Sequence, residues 1–186
     1  MAGAADMIWQ LWNAGEVIDS LPEDLRPHTR DEGYAVQAEL EALSKRPLVG
    51  WKIAATSKAG QQHIGVNGPI AGRLLAQRVF DNAAELAFGA NRMRVAEPEF
   101  AFRFGQPLGP REDAYRIDEV LAAVDSLHPA IEVPDSRFDD FASAGEAQLI
   151  ADNACAHEFV LGPATSANWR DINLSKHQVS VEAVGG

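Results

Sequence analysis

Apolar positions recur along the chain with two periods, and the change from one to the other divides it. Ile8, Leu11 and Trp12 stand at i, i+3 and i+4, which predicts a helix with one apolar stripe. The stretch from Asp19 to Arg30, with Pro22 and Pro27, interrupts it. Thr29 and Glu32 then form a candidate capping box ahead of Val36, Leu40 and Leu43 at i, i+4 and i+7, a second helix. From Val49 the period falls to two: Val49, Trp51, Ile53 and Ala55 share one face of a predicted strand, while Gly50, Lys52 and Ala54 share the other. Residues 1–46 therefore read as a helical extension and 47–186 as the domain that carries the chemistry.

The pattern beyond predicts a short helix through Ala59 to Ile64 and a loop over Gly65 to Gly72. In Glu97 to Phe104 phenylalanines alternate with charged or small residues, a strand with one apolar face and one face bearing both glutamates. Ile117, Val120, Leu121, Val124 and Leu127 predict a helix with Asp118 and Glu119 in its first turn, where the helix dipole favours anions. Ala130 to Val133 predicts a short strand with Glu132 facing away from Ile131 and Val133. A helix around Gly145 to Ile150 and a strand at Phe159 to Gly162 follow. Val179, Val181 and Ala183 alternate again near the end.

Composition narrows the function classes. With 186 residues and 46% hydrophobic content the chain can bury a sizeable core. A net charge of -11 with no basic run argues against nucleic acid, whose affinity comes largely from neutralised phosphates. No stretch reaches the ~18 consecutive apolar residues of a membrane span, and the first twelve residues lack the charged and apolar regions of a secretory signal. These features predict a cytoplasmic protein with no membrane partner. The single cysteine, Cys155, excludes an intrachain disulfide and a thiolate zinc site. His63 and His157 lack zinc-ligand spacing, and no nucleophile elbow, phosphate loop or dinucleotide fingerprint is present.

Glu-x-Glu occurs twice, and local structure separates the two. On a helix Glu39 and Glu41 diverge by about 200°, whereas on a strand Glu97 and Glu99 point the same way. Two carboxylates on one face repel unless a cation compensates them, and hard divalent ions prefer such ligands. Spacing leaves two readings open: a cation site that Glu132 completes, or a solvated sheet face. Lys52 is equally a surface charge or a cation set to hold a substrate carboxylate or enolate.

The segments Gly50-Trp51-Lys52-Ile53-Ala54-Ala55-Thr56-Ser57, Gly65-Val66-Asn67-Gly68-Pro69, Ala96-Glu97-Pro98-Glu99-Phe100-Ala101-Phe102, Pro129 to Arg137 and Ala151-Asp152-Asn153, with Tyr34 and Gln37 before them, resemble in order the 2-keto-4-pentenoate hydratase family of the fumarylacetoacetate hydrolase superfamily. The resemblance implies an α+β fold: a mixed β-roll core of the fumarylacetoacetate hydrolase type, with an N-terminal helical extension and outer helices. It implies Mg²⁺ or Mn²⁺ held by Glu97, Glu99 and Glu132, Lys52 as active-site lysine and Asp152 as a candidate for proton transfer. The implied reaction hydrates a small unsaturated 2-oxo or 2-hydroxy acid in degradation of aromatic compounds, in a homo-oligomer. Ile70 departs from the pattern, since many hydratases carry an acidic residue after the loop proline. That keeps a 4-oxalocrotonate-type decarboxylase, an acylpyruvate hydrolase and an inactive partner subunit in view. Family members also continue beyond Val184, so the resemblance implies a roll without its closing C-terminal strands, whose unpaired edge would need a cover.

Overall fold

The structure, a computed structural model, describes residues 2–182. It is an α+β fold with two sheets. At the start, α1 (Ala2–Ala14) and α2 (Arg30–Ser44) form a helical pair. The capping box closes as expected: Thr29 Oγ1 accepts from Glu32 N at 3.2 Å, and the Glu32 carboxylate accepts from Thr29 N and His28 N. Lys45 ends α2 in the left-handed region at φ 52.

A two-stranded antiparallel sheet follows, from β1 (Leu48–Ala54) and β2 (Ile70–Leu75), with α3 (Lys58–His63) between them. The predicted loop is therefore shorter than expected. Ile70 opens a strand because its buried side chain joins Val66, Leu149 and Ile150 in a core and its backbone pairs with Ala54. The alternation in β1 is real, but its apolar face looks outward: Val49, Trp51 and Ile53 are each about half exposed, and Lys52 is buried.

The second sheet contains β3 (Val79–Asp81), β4 (Glu97–Phe104), β5 (Val124–Val133) and β6 (Glu158–Leu161) in the order β3-β6-β5-β4. β3 and β6 run parallel and the other pairs antiparallel, so the sheet is mixed. Here the helix predicted through Leu127 is corrected. α4 spans only Ile117–Ala123, and Val124 and Leu127 belong to β5. The Ala123 carbonyl accepts from Gly105 N and Gln106 N, so the end of β4 occupies the acceptor that another helical turn would use. Pro129 also disfavours helix at the residue before it. Val124 and Leu127 bury against Trp169 with Phe100.

α5 (Glu146–Ala151) crosses α2 closely because Gly33 has no side chain; a Cβ there would stand 2.5 Å from the Ala147 carbonyl oxygen. The helices of the N-terminal pair bury Ala4, Ala5, Ile8, Trp12, Val36 and Leu40 in one core with Leu75, Phe138 and Ala151. Residues 177–182 have no regular structure, with Val179 and Val181 exposed, so the strand-like alternation there forms no strand. Ala183 lies outside the described residues. No helix among the described residues is long and apolar enough to cross a membrane.

Candidate metal centre

The register of β4 on β5 sets Glu97 directly opposite Glu132 and Glu99 opposite Ala130. Residues facing each other across an antiparallel pair project to the same side, so all three glutamates share one face of the sheet. One oxygen from each lies within 4.8 Å of the others, the one group of this kind among the described residues. The opposite face of β4 carries Phe100 and Phe102, the latter 5.7 Å from Trp169 between ring centroids. Alternation thus gives β4 one face for packing and one for charge.

Lys52 reaches this group from the other sheet. Its ammonium lies 3.0 Å from Glu132 Oε1 and donates to the Ala154 carbonyl at 3.1 Å. Lys52 is 8% exposed and Glu132 2%. The contact to Oε1 is ionic but lacks the angle of a hydrogen bond, so this buried oxygen has no hydrogen-bond partner. Burial pushes the Glu132 carboxyl up to about 7, with Glu97 and Glu99 adding to the rise and Lys52 opposing it. Burial raises Glu99 as well, followed by repulsion from Glu97.

The donor set fits a hard divalent cation. Three carboxylates converge, one ammonium balances one of them, and the remainder is two negative charges in a partly desolvated place. Raised carboxyls that repel one another on a shared face are what a hard divalent cation would compensate. The pattern does not fit zinc, since no histidine or cysteine is in the group.

Asp152 is placed differently. It is fully buried, accepts from Ser136 Oγ at 2.7 Å and from the Arg137 backbone N at 3.1 Å, and is paired with Arg137 Nε. Arg137 Nη2 also donates to the Asp152 carbonyl. This pair escaped sequence reasoning because fifteen residues separate the partners and nothing local announces the contact. His128 was missed too: the register puts it on the glutamate face, opposite Ala101. Its Nδ1 donates to the Gly162 carbonyl, which leaves Nε2 to accept from Ser126 Oγ.

Asp152 leads into the turn Asn153-Ala154-Cys155, three consecutive residues with φ of 56, 50 and 61. A non-glycine residue in this left-handed region costs on the order of 1–3 kcal/mol, so surrounding contacts must hold the turn. Burial pushes the Cys155 thiol up to about 12, with the Asp152 charge next, so the thiolate is not formed near neutrality. Two adjoining clefts of about 390 and 290 Å³ lie beside Asn91, Arg92, Asp135 and Ser136, the second reaching Trp12, Arg78, Arg137 and His157. None of the three glutamates lines either cleft.

No family model matches the chain. It is 31% identical over 175 residues to 2-keto-4-pentenoate hydratase of Paraburkholderia xenovorans, covering 92% of this chain and 64% of that protein. It is 30% identical over 172 residues to 4-oxalocrotonate decarboxylase of a Pseudomonas strain, covering 90% and 63%. Among solved structures it is similar to 4-oxalocrotonate decarboxylase from Pseudomonas putida complexed with magnesium and adipate. That match has a TM-score of 0.76 at 25% identity and covers 87% of this chain and 61% of the other. The same enzyme complexed with calcium and acetate gives a TM-score of 0.74. The chain spans less than two thirds of the length of the curated relatives it matches.

Proposed function

Because this chain is a homologue of the 2-keto-4-pentenoate hydratases and the 4-oxalocrotonate decarboxylases, we propose that it carries the metal site of a lyase acting on a small unsaturated 2-oxo or 2-hydroxy acid. The preferred reaction is hydration of 2-hydroxypenta-2,4-dienoate to 4-hydroxy-2-oxopentanoate, in cytoplasmic degradation of aromatic compounds. The observation that carries this reading is the convergence of Glu97, Glu99 and Glu132 beside Lys52. In this reading residues 47–186 are the catalytic β-roll domain of the fumarylacetoacetate hydrolase type, residues 1–46 are its helical extension, and the assembly is a homo-oligomer.

Glu97, Glu99 and Glu132 would hold Mg²⁺ or Mn²⁺. A bound divalent cation supplies Lewis-acid charge for a substrate's carboxylate and 2-oxygen. The chain's own contribution is electrostatic and geometric. Glu132 is fixed by strand pairing on both sides, to Glu97 in β4 and to Phe159 in β6. Lys52, held between Glu132 and the Ala154 carbonyl, places a positive charge beside the carboxylates, where it favours an enolate-like anion. We assign Asp152 to positioning rather than to proton transfer, because its oxygens are engaged by Ser136 and Arg137 and the group has no exposure.

The test is consumption of 2-hydroxypenta-2,4-dienoate by the chain with Mg²⁺, with EDTA, and after metal is restored. Activity that needs the cation and is lost in Glu132→Ala supports the reading; turnover unaffected by EDTA overturns it. Ile70 favours a second reading, decarboxylation of 4-oxalocrotonate, since the position lacks the carboxylate that many hydratases carry after the loop proline. Release of carbon dioxide from 4-oxalocrotonate without hydration of the dienoate selects that reaction.

A further inference from the structure

β2 pairs with β1 along one edge only, yet on its other edge the backbone groups of Ala71 and Arg73 are satisfied by side chains. Ala71 N donates to Tyr34 Oη at 3.0 Å, and the Ala71 carbonyl accepts from Gln37 Nε2 at 2.8 Å. Two residues on, Arg73 N donates to Asn153 Oδ1 at 2.6 Å, and the Arg73 carbonyl accepts from Asn153 Nδ2 at 2.9 Å. The Asn153 carboxamide thereby makes the paired N–H and C=O contacts that a residue of a neighbouring strand would make.

The same contact locks the left-handed turn against Gly72, the residue between Ala71 and Arg73. A Cβ on Gly72 would stand 2.3 Å from the Asn153 carbonyl oxygen and 3.1 Å from both Ala156 Cβ and Lys52 Cδ. Gly72 is also the register partner of Lys52. The absent side chain leaves the space in which the Lys52 stem and the turn approach each other. The Ala154 carbonyl presented by that turn is then the acceptor for the Lys52 ammonium, which points it at Glu132.

We infer that Asn153 and Gly72 are positioning residues that aim Lys52 at the carboxylate group: Asn153 by clamping the Asn153-Ala154-Cys155 turn onto the β2 edge, and Gly72 by admitting it. The inference deepens the functional reading, since it rests on Lys52 being the cation of the site. The strained turn persists because its carbonyl is needed at one place. Asn tolerates the left-handed region better than most residues, so one side chain serves both the backbone conformation and the clamp.

Lysine accessibility tests this without activity. Lys45, Lys58 and Lys176 are exposed and Lys52 is buried, so acylation of the full chain by N-hydroxysuccinimidyl acetate, read by peptide mass spectrometry, contains its own standards. In the unmodified chain Lys52 should react about tenfold or more slowly than those three, through local opening only. Asn153→Gly keeps the backbone's access to positive φ and removes the clamp; it should bring Lys52 to within a few-fold of the exposed lysines while unfolding stays cooperative. Gly72→Ala should do the same by displacing the turn. Tyr34→Phe loosens the same β2 edge at Ala71 without touching the turn and should leave Lys52 protected.

Lys52 remaining protected in both folded variants would overturn the inference, and so would equal exposure of Lys52 in Tyr34→Phe. If neither Asn153→Gly nor Gly72→Ala folds, the clamp is a general stabiliser and the inference fails. Mn²⁺ titration of the unmodified chain is run in parallel. Absence of binding would remove the functional reading while the labelling result stands by itself.

Discussion

Two groups of buried charges sit a short distance apart in this chain and are solved in opposite ways. Around Asp152 one carboxylate meets one guanidinium: Arg137 reaches it through Nε and backbone N, Ser136 donates a third bond, and the guanidinium lies over the Trp12 ring, 4.5 Å from its centroid, although burial still raises the carboxyl and leaves Arg137 Nη1 without a hydrogen bond. Around Glu132 three carboxylates face one ammonium, so the charge count is uneven, and repulsion among the glutamates adds to burial in raising Glu99 and Glu132. Burying a charge is costly unless it is matched. The first group is matched within the protein and behaves as scaffold. The second is matched only when something positive arrives, which is the physical mark of a binding site.

Removing a partner from the matched group should have the largest effect on stability. Arg137→Ala leaves Asp152 buried with Ser136 and a backbone N–H alone, and breaking a buried pair on one side costs about 3–5 kcal/mol. Urea unfolding should show that loss as a lower midpoint. In the unmatched group the same kind of change should act the other way. Glu132→Gln removes a repelled carboxylate, so the metal-free chain should be as stable as the unmodified one or more so. Its affinity for Mn²⁺ should nevertheless fall, on the order of 100-fold or about 2.7 kcal/mol. A large stability loss in Glu132→Gln would erase the contrast between the groups.

Next in size is the pH dependence of cation binding. Glu132 ionises at about 7 in the metal-free chain, and a ligand must lose its proton to bind. Mn²⁺ affinity should therefore climb by about fivefold between pH 6 and 7, rise by about twofold more to pH 8, and level off above. A titration by calorimetry that is flat across this range would remove Glu132 from the ligand set.

Much of this contrast was legible in the sequence, but unevenly. Period two around Glu97 and Glu99 gave the shared face directly, and the capping box at Thr29 gave the start of α2. The face of β1 that would be buried could not be read, because Trp51 and Ile53 look like core residues until the small Gly72 beneath Lys52 is known. Val124 and Leu127 fit a helical stripe because i and i+3 spacing also arises by chance in a strand packed on both sides. Strand register, which brings Glu132 opposite Glu97, and the Arg137–Asp152 pair depend on contacts between distant segments. Local periodicity carries no trace of those, and only the ordered family resemblance pointed to Glu132.

The smallest effects come from the pH dependence of the fold itself, where the two groups should pull in opposite directions. His157 accepts from Trp12 Nε1 at 2.7 Å, and burial, followed by Arg78 and Arg137, pushes it down to about 4. Between pH 6.5 and 4 the unfolded chain therefore binds more protons at this histidine than the folded one, and stability falls as pH falls. Glu132 has the reverse sign. Its folded value of about 7 lies above the ordinary carboxyl value of 4.5, so the folded chain holds the extra proton and stability falls as pH rises through that interval. The opposed slopes overlap between pH 4.5 and 6.5, and the metal-free chain should show a shallow profile there. Glu132→Gln should unmask the histidine slope, a steady gain in urea midpoint from pH 4.5 to 6.5. Trp12→Phe should cost about 1 kcal/mol through the lost hydrogen bond and leave Mn²⁺ binding unchanged. A Trp12 variant that weakened cation binding would show that the matched group is wired to the unmatched one rather than merely beside it.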